Sequence, residues 1–524
     1  MFRSAIAYAV AAVALMTGRA VAQEHPGHAT LGTVQFPVSC TQAVQEDMQR
    51  GVAMLHSFWF PEARKAFEAV AAADPQCGIA YWGIALTHFG NPMAGGSGPE
   101  GQALGAEAAR RAVAIGGRSA RDSGYINAVG ALFRDHATVP TRTRMMAYEK
   151  ALADLVARAP EDTEAKIFHA LSMVANAPPA DKTYAKQREA AQVLTALYKR
   201  MPKHPGLAHY IIHAFDAPSL APYALEAARQ YASIAPAAPH ALHMPSHTFT
   251  RLGYWNESIA TNRRSADTEP MVGAKAHPMD YMVYAYLQQG REAEARAVLA
   301  ELAGTQETDY VAGTLGSYNG RAMPARIALE LDDWNATRAL VLGAKDPASV
   351  AAVTRFARAL GAARAGDLES ARTENAELAK LVARLVADKD TYWAHVVGAQ
   401  HEAVAAWIAH LENRHEDAIR LARAAADSED LVEKHPVTPG PLIPARELYG
   451  DILMVHGRFA PALAAYEATL QREPNRLRTL YGAARAARAA GQAEAARKHY
   501  AAIRALVHPD SEHPALREAR SYRP

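Results

Sequence analysis

The sequence predicts an all-α fold, a right-handed α-solenoid built from repeated helix pairs. Long windows rich in Ala, Leu, Arg and Glu, with few runs of β-branched residues, favour helix over strand. Residues such as Tyr466 and Tyr500 recur 34 positions apart, which is the period of a helix-turn-helix repeat. Prolines, which end helices, punctuate the middle of the chain at Pro160, Pro202, Pro236 and Pro270.

Residues 1–22 have the pattern of a signal peptide. Arg3 supplies a basic start, the run from Ala5 to Met16 is apolar, and Ala20-Val21-Ala22 is a small-residue cleavage site. The apolar run is too short to span a bilayer well. We therefore expect cleavage after Ala22, a periplasmic or secreted protein without a transmembrane segment, and a flexible segment over residues 23–40.

Composition and charge exclude several classes of function. The 524 residues are 50% hydrophobic, enough for a large core or a long array. Once residues 1–22 are removed, 54 basic and 54 acidic side chains remain, so no basic footprint predicts nucleic-acid binding. The sequence also lacks a P-loop, a dinucleotide-binding glycine pattern, His-Glu-x-x-His and Gly-x-Ser-x-Gly. We expect no nucleotide cofactor.

The two cysteines, Cys40 and Cys77, lie 37 residues apart, close to one repeat. Each precedes a predicted first helix of a pair, so the two can be neighbours at one end of the array. Export would place them in an oxidising compartment. The sequence leaves open a disulfide between them or two free thiols, and either is structural because no Cys-x-x-Cys motif is present.

Two segments, residues 58–75 and 457–474, share a spacing of small, aromatic and proline residues. The small residue is followed by an aromatic four positions later and by a proline eight positions after that, as Ala63, Phe67, Pro75 and as Ala462, Tyr466, Pro474. This pattern resembles the tetratricopeptide repeat (TPR) family. The segments 80–83 and 439–445 also resemble those of exported bacterial TPR proteins without an assigned activity.

The resemblance implies about a dozen helix pairs over residues 41–507, followed by a frayed C-terminal tail over residues 508–524. In TPR arrays the first helix of each pair lines a concave groove, where a protein or peptide partner binds. The fold alone does not specify what that partner is.

Histidines are concentrated on three successive first helices. His209 and His213 are four residues apart, and the pair recurs 34 residues later as His243 and His247, so each pair shares one helix face. The TPR register assigns groove-facing places to His209, His213, Asp216, His240, His243, His247, His277 and Asp280. Pro245 and Ser246 fall at core places, which predicts a bend in the middle helix.

Imidazoles on neighbouring packed helices can converge on one ion. Such sites suit zinc, copper, nickel or iron rather than calcium or magnesium. Asp216 or Asp280 can complete the ligand set or orient a ring. Two other interpretations stay open: a histidine-lined groove for an acidic peptide or small anion, and ordinary polar packing.

A second set of groove residues lies near the C-terminus. Glu447 and Asp451 are four apart and fall at groove places, where a carboxylate opposite a metal-bound water would act as a general base. Arg478, Arg485 and Arg488 lie on or near the groove face of the last repeat and can bind a carboxylate terminus. The alternative for both groups is a solvated charged face.

The sequence thus predicts an exported TPR scaffold that binds a partner in its concave groove and carries a histidine-rich transition-metal site in residues 204–290. The competing prediction is a metal-dependent enzyme that uses the same histidines for hydrolytic or oxidative chemistry. A catalytic ion requires an open coordination position, whereas a closed four-histidine shell does not leave one.

Overall fold

A computed structural model describes residues 30–303 and 314–523, and within these ranges every regular element is a helix. The predicted all-α solenoid is confirmed. The signal peptide, its cleavage site and residues 23–29 lie outside the described residues. Within the described ranges, no helix is both long enough and apolar enough to cross a bilayer.

The helices follow one another with short connections. The first group is α1 (Gln45–His56), α2 (Phe60–Ala73), α3 (Gly78–Phe89), α4 (Pro99–Ile115), α5 (Ala120–Phe133), α6 (Thr141–Arg158), α7 (Thr163–Ala175) and α8 (Ala185–Tyr198). The central group is α9 (Pro205–Ala214), α10 (Leu225–Ile234), α11 (Pro239–His243), α12 (Pro245–Leu252), α13 (Trp255–Thr268), α14 (Val272–Gln288), α15 (Glu292–Ala303), α16 (Thr314–Glu330) and α17 (Trp334–Ala339). The last group is α18 (Ala348–Arg364), α19 (Leu368–Ala387), α20 (Thr391–Leu411), α21 (His415–Glu429), α22 (Ala445–Val455), α23 (Phe459–Arg472), α24 (Leu477–Ala489), α25 (Ala493–Leu506) and α26 (Pro514–Ser521).

The packing order is that of a solenoid. Each helix contacts the next, and alternate helices such as α3 and α5 or α18 and α20 also contact each other. Because every pair stacks on its neighbours, the hydrophobic core runs along the array rather than forming one central ball.

The aromatic residue of each repeat-like segment is the centre of a three-helix contact. The Phe67 ring on α2 lies against Gly51 on α1 and Gly83 on α3, where an added Cβ would come within 2.6 Å of the ring. Tyr466 on α23 packs in the same way against Gly450 on α22 and Gly482 on α24. A side chain larger than hydrogen at these glycines would force the helices apart.

The array also folds back on itself. The Trp255 indole N–H donates to the carbonyl of Asn475 at 3.0 Å, although the two residues are 220 positions apart. The His508 amide donates to the carbonyl of Gln289, and α24 contacts α14. The central repeats are therefore covered by the C-terminal part of the chain.

Both predicted loose ends differ from expectation in the described residues. Residues 30–40, predicted to be flexible, are packed: Phe36 is fully buried and stacks on Trp82. The predicted frayed tail contains α26, in which Leu516 is buried, and Tyr522 stacks on Tyr500. Burial of these apolar side chains holds both segments against neighbouring repeats.

Cys40 and Cys77 lie side by side, as the repeat spacing predicts. Their Cα atoms are 5.3 Å apart, a separation compatible with a disulfide, and their sulfurs are joined. The pair ties residues 30–40 to the start of α3.

Candidate metal centre

Four helical segments position the six central histidines. His209 and His213 lie on α9, His240 and His243 on α11, and His247 on α12. The predicted bend at Pro245 is a break, because α11 ends at His243 and Pro245 starts α12. A proline has no N–H to continue the helical ladder, but it is well tolerated in the first turn of a new helix. His277, on α14, completes the set.

Four of these histidines are buried, and His240 and His277 are half-buried, so the set does not line an open groove, which corrects the groove-facing prediction. His209 is 0% exposed and His243 is 2% exposed. Phe58, from the turn between α1 and α2, covers one side with its ring centroid 4.4 Å from that of His209. The segment 434–438 covers the other side, where the carbonyl of Val437 accepts a hydrogen bond from the Nδ1–H of His277. The solenoid fills its own groove at this point.

The first histidine cluster consists of His209, His213 and His240. One ring nitrogen from each lies within 4.8 Å of the others. The Nε2 atoms of His209 and His240 are 3.2 Å apart. Neither ring nitrogen of the buried His213 has a hydrogen-bond partner among the described residues, which is costly for a polar group shielded from water.

The second cluster consists of His243, His247 and His277, with the same 4.8 Å limit between ligand atoms. The Nε2 atoms of His243 and His247 are 3.0 Å apart. The ring centroids of His243 and His277 are separated by 4.3 Å. The two clusters adjoin, since the His240 and His243 rings are 6.0 Å apart.

Hydrogen bonds on the outer side of the rings assign the proton of several of these imidazoles. The Nδ1–H of His209 donates to the carbonyl of His56 at 2.7 Å. The Nδ1–H of His243 donates to Oδ1 of Asn262 at 2.7 Å, and the Asn262 amide orientation follows from its Nδ2 donating to the Ser258 carbonyl. A neutral ring with its proton on Nδ1 presents a lone pair at Nε2.

The proton of His247 is assigned by a carboxylate. The Nδ1–H of His247 donates to Oδ2 of Asp216 at 2.9 Å. Burial raises the pKa of the Asp216 carboxyl, but the charges of Lys434 and Arg251 more than offset this and hold the pKa well below its usual range. Asp216 is therefore an ionised acceptor, and His247, like His243, presents a lone pair at Nε2. Two lone pairs consequently face each other across 3.0 Å.

The histidines resist protonation. Burial, followed by the charges of neighbouring imidazoles, lowers the pKa of His243 well below its usual value. The same causes act in the same order on His240, and burial with the nearby His247 lowers the pKa of His277 to about 3. All three rings are neutral near pH 7, the state in which imidazole binds metal.

Tyr281 and Lys434 complete the wall of the second cluster. The Tyr281 hydroxyl lies 3.4 Å from Nε2 of His247 and donates to the carbonyl of Thr438 at 3.1 Å. The Lys434 ammonium contacts Asp216 at 3.3 Å and the Tyr281 hydroxyl at 3.4 Å. Burial lowers the pKa of Lys434 to about 8.

Asp280 takes a different position from the one predicted. Its Oδ1 pairs with Arg326 and its Oδ2 accepts from Asn319, both in a fully buried setting. It orients none of the six rings directly. Asp280 lies near the histidines, as the helical register predicts, but it pairs with the Arg326 guanidinium on α16. That group is a charged hydrogen-bond donor, whereas the neutral imidazoles are not.

The predicted C-terminal groove residues form an internal ion-pair network. Glu447 is fully buried and binds Arg476 and Arg478, and Asp451 binds Arg478 and Arg364. This network neutralises the charges that were predicted to receive a ligand.

The last two predicted arginines lie apart from this network. The Arg485 guanidinium lies over the ring of Tyr481, and Arg488 pairs with Glu518 at 2.9 Å.

Several contributors to the centre were not predicted from sequence. These are Phe58, Asn262, Tyr281 and Lys434, together with the carbonyls of His56 and Val437. Most come from segments far away in sequence and carry no local pattern. Lys434 begins a proline-rich stretch, and nothing in the residues of that stretch indicates which part of the array it crosses.

Comparisons with known proteins add little to this description. No family model matches the chain, and no curated protein matches it. Among solved structures, a monomeric IFIT1 mutant with m7Gppp-AAAA is 10% identical with a TM-score of 0.38, covering 82% of this chain and 90% of that one. The APC/C hetero-tetramer Cut9–Hcn1 is 11% identical with a TM-score of 0.33, covering 91% and 96%.

A third similar structure, the TPR domain of P58(IPK), is 12% identical with a TM-score of 0.23, covering 86% of this chain and 99% of that one. At such values no function is transferred from these proteins. The order of the helices and the glycine–aromatic contacts of its repeats make this chain an all-α solenoid.

Proposed function

We propose that this chain is an exported TPR-like scaffold whose central histidines bind two transition-metal ions, one in each cluster. The observation that carries the proposal is the 3.0 Å contact between the Nε2 atoms of His243 and His247. Both rings donate from Nδ1, and burial lowers the pKa of His243 and of His247. Both imidazoles are therefore neutral near pH 7, and this contact has no proton to share. A cation between the two lone pairs removes the repulsion.

The distances suit such an ion. Two nitrogens bound at about 2.0–2.1 Å in a tetrahedral site lie about 3.3–3.4 Å apart, close to the 3.0 and 3.2 Å of the two Nε2 pairs. An ion bound by His209 and His240 would also be within reach of His213, whose nitrogens otherwise lack partners. All-imidazole sites favour zinc, copper, nickel or iron.

The outward hydrogen bonds are those that metal-binding histidines usually make. A ligating imidazole commonly donates its other N–H to a carboxylate or a carbonyl, which fixes the ring orientation and raises its basicity. His247 uses Asp216 for this purpose, and His209 and His277 use backbone carbonyls. The scaffold role, with a protein partner on the outer surfaces of the array, is proposed from the fold class alone.

A metal-dependent enzyme is the second candidate, and one observation favours it. Each cluster brings together three histidines, which leaves one position of a tetrahedral ion for water or substrate. Beside it lies the Tyr281 hydroxyl, 3.4 Å from Nε2 of His247. Phe58 and residues 434–438 cover the clusters, so a substrate would need these segments to move.

Elemental analysis of the mature protein, purified without a metal-binding tag, tests the proposal. The central clusters should contribute about two equivalents of transition metal, with about one lost in the double variant His243→Gln/His247→Gln. The control His401→Gln changes a half-buried histidine that pairs with Asn375 outside the clusters and should keep both. An absence of metal in the unmodified protein, even after reconstitution with zinc or copper, would refute the proposal.

A further inference from the structure

A third group of histidines lies far along the array from the central clusters. His410 is near the end of α20, His415 is the first residue of α21, and His456 directly follows α22. One ring nitrogen from each lies within 4.8 Å of the others. The three rings therefore converge at one edge of the solenoid, where the ends of three helices meet.

The centroids of the three imidazole rings lie close to one another. The His456 centroid is 5.0 Å from that of His410 and 4.7 Å from that of His415, and His410 and His415 are 6.2 Å apart. Packed helices position all three, since α20 contacts α21 and α21 contacts α22. The arrangement thus depends on the solenoid rather than on one loose loop.

Two nitrogens of this group are shielded from water without a partner. Nδ1 of His410 and Nε2 of His456 make no hydrogen bond to any described residue. An orphaned buried nitrogen needs an explanation, and an ion or water between the rings supplies one. The third ring, that of His415, is exposed and leaves one side of the group open to solvent.

The electrostatic surroundings keep the two inner rings in the form that binds metal. Burial, then the charges of His415 and Arg364, lower the pKa of His410. For His456, burial is again the largest cause, followed by the charges of the other two histidines. Both rings thus carry lone pairs at neutral pH.

We propose that His410, His415 and His456 form a separate, peripheral site for a divalent transition-metal ion, with three imidazole ligands and one position open to solvent. Zinc, copper and nickel suit this donor set. Because the site is at the surface, its ion exchanges with solvent more readily than an ion enclosed under Phe58 and residues 434–438. The peripheral site is independent of the central clusters and stands or falls separately from them.

Zinc titration of the full-length mature protein, dialysed against a chelator, tests the proposal. We compare the unmodified chain with His415→Gln and His456→Gln, and use His508→Gln, which changes an exposed histidine outside the three groups, as the control. His415 is exposed, so its substitution should leave the helical content unchanged, which circular dichroism verifies.

The expected result is the loss of one zinc equivalent, or at least an approximately tenfold weaker binding of that equivalent, in both cluster variants and not in the control. Loss of a ligand should cost at least as much as loss of a group that orients one. The same zinc stoichiometry and affinity in all four proteins would overturn the peripheral site, whatever the central clusters bind.

Discussion

Two buried histidine groups in this protein have similar composition but opposite hydrogen bonding. His56 and His204 lie on either side of Glu164, fully buried, a short distance from the central clusters. Proximity of the ligand atoms alone would mark both regions as metal sites. The difference lies in what each ring nitrogen contacts.

In the Glu164 group every ring nitrogen has a partner. Nε2–H of His56 and Nε2–H of His204 donate to the two carboxylate oxygens at 2.9 and 2.8 Å. Nδ1 of His56 accepts from the Tyr210 hydroxyl, and Nδ1 of His204 accepts from the Leu207 amide. In the central clusters, by contrast, Nε2 atoms face one another. A satisfied group stabilises the fold, whereas facing lone pairs support the proposal that a cation binds between them.

The largest expected effect separates these two roles. Glu164→Gln removes a charge that accepts two buried hydrogen bonds, which should lower the free energy of unfolding by about 3–5 kcal/mol. The metal content of the folded protein should not change. Urea denaturation with parallel elemental analysis measures both, and Glu149→Gln, at a partly exposed ion pair with Lys186, is the control. Loss of metal in folded Glu164→Gln would mean that the two regions share one function.

Of the two buried groups compared, metal removal should affect the central clusters and not the Glu164 group. A ligand that binds the native state at 100 times its dissociation constant stabilises that state by about 2.7 kcal/mol. Dialysis against a chelator should therefore lower the thermal midpoint of the unmodified protein, and re-addition of zinc should restore it. In His243→Gln/His247→Gln the chelator should have a smaller effect. An equal decrease in both proteins would show that the second cluster holds no ion.

Two carboxylates of the central region, those of Asp216 and Asp280, differ in whether they contact a histidine. Asp216→Asn replaces the ionised acceptor that orients His247, so the second cluster should bind metal about 10–100-fold more weakly. Asp280→Asn is a matched control, because that carboxylate is equally buried but pairs with Arg326 and Asn319. Competition with a chromophoric chelator measures both affinities. Equal metal affinities in the two variants would show that Asp216 does not contribute to the second cluster.

The smallest expected effect per residue is the dependence of the free energy of unfolding on pH. The folded pKa of His277 is about 3, below the ordinary value of about 6.5 in an unfolded chain. The unfolded state therefore binds more protons between these values, and stability falls as the pH falls below 6.5. Each such histidine should cost about 1 kcal/mol at pH 5.5 relative to pH 7.5.

Urea denaturation of the protein after dialysis against a chelator, carried out at the two pH values, measures this cost. The free energy of unfolding of His277→Gln should depend less steeply on pH than that of the unmodified chain. Glu164 contributes in the same direction only at lower pH. Burial raises the pKa of its carboxyl, but His204 and His56 outweigh burial and bring it to about 2. Its stabilisation is present above the ordinary carboxyl value and is lost as the pH falls toward 2. An identical pH dependence in His277→Gln would contradict a lowered pKa of His277 in the folded protein.

The stacking of neighbouring repeats could be predicted from the sequence. The contacts by which distant segments cover the histidines could not. The 34-residue recurrence of His209 and His213 as His243 and His247 predicted that the pairs lie in neighbouring repeats, because the repeat period directly determines stacking. The second pair is divided between α11 and α12. Pro245 correctly predicted an interruption. These features depend on contacts between residues that are near each other in sequence or one repeat apart.

Features that depend on distant segments escaped prediction. Phe58 reaches His209 across 151 positions, and Val437 meets His277 across 160. TPR register predicts an open groove and contains no information on which segment fills it. For the same reason Asp280 was predicted as a possible ligand although Arg326, 46 positions away, pairs with it. Glu447 and Asp451 were predicted to face a metal-bound water or solvent, although they pair with Arg476, Arg478 and Arg364.

The most direct test of the central claim is an anomalous-scattering crystal structure of the zinc-loaded protein. The account predicts a peak at the zinc edge about 2.0–2.1 Å from Nε2 of both His243 and His247, with Asp216 still bonded to Nδ1 of His247. The absence of such a peak at saturating zinc, with a water molecule or a direct imidazole–imidazole hydrogen bond in its place, would contradict it.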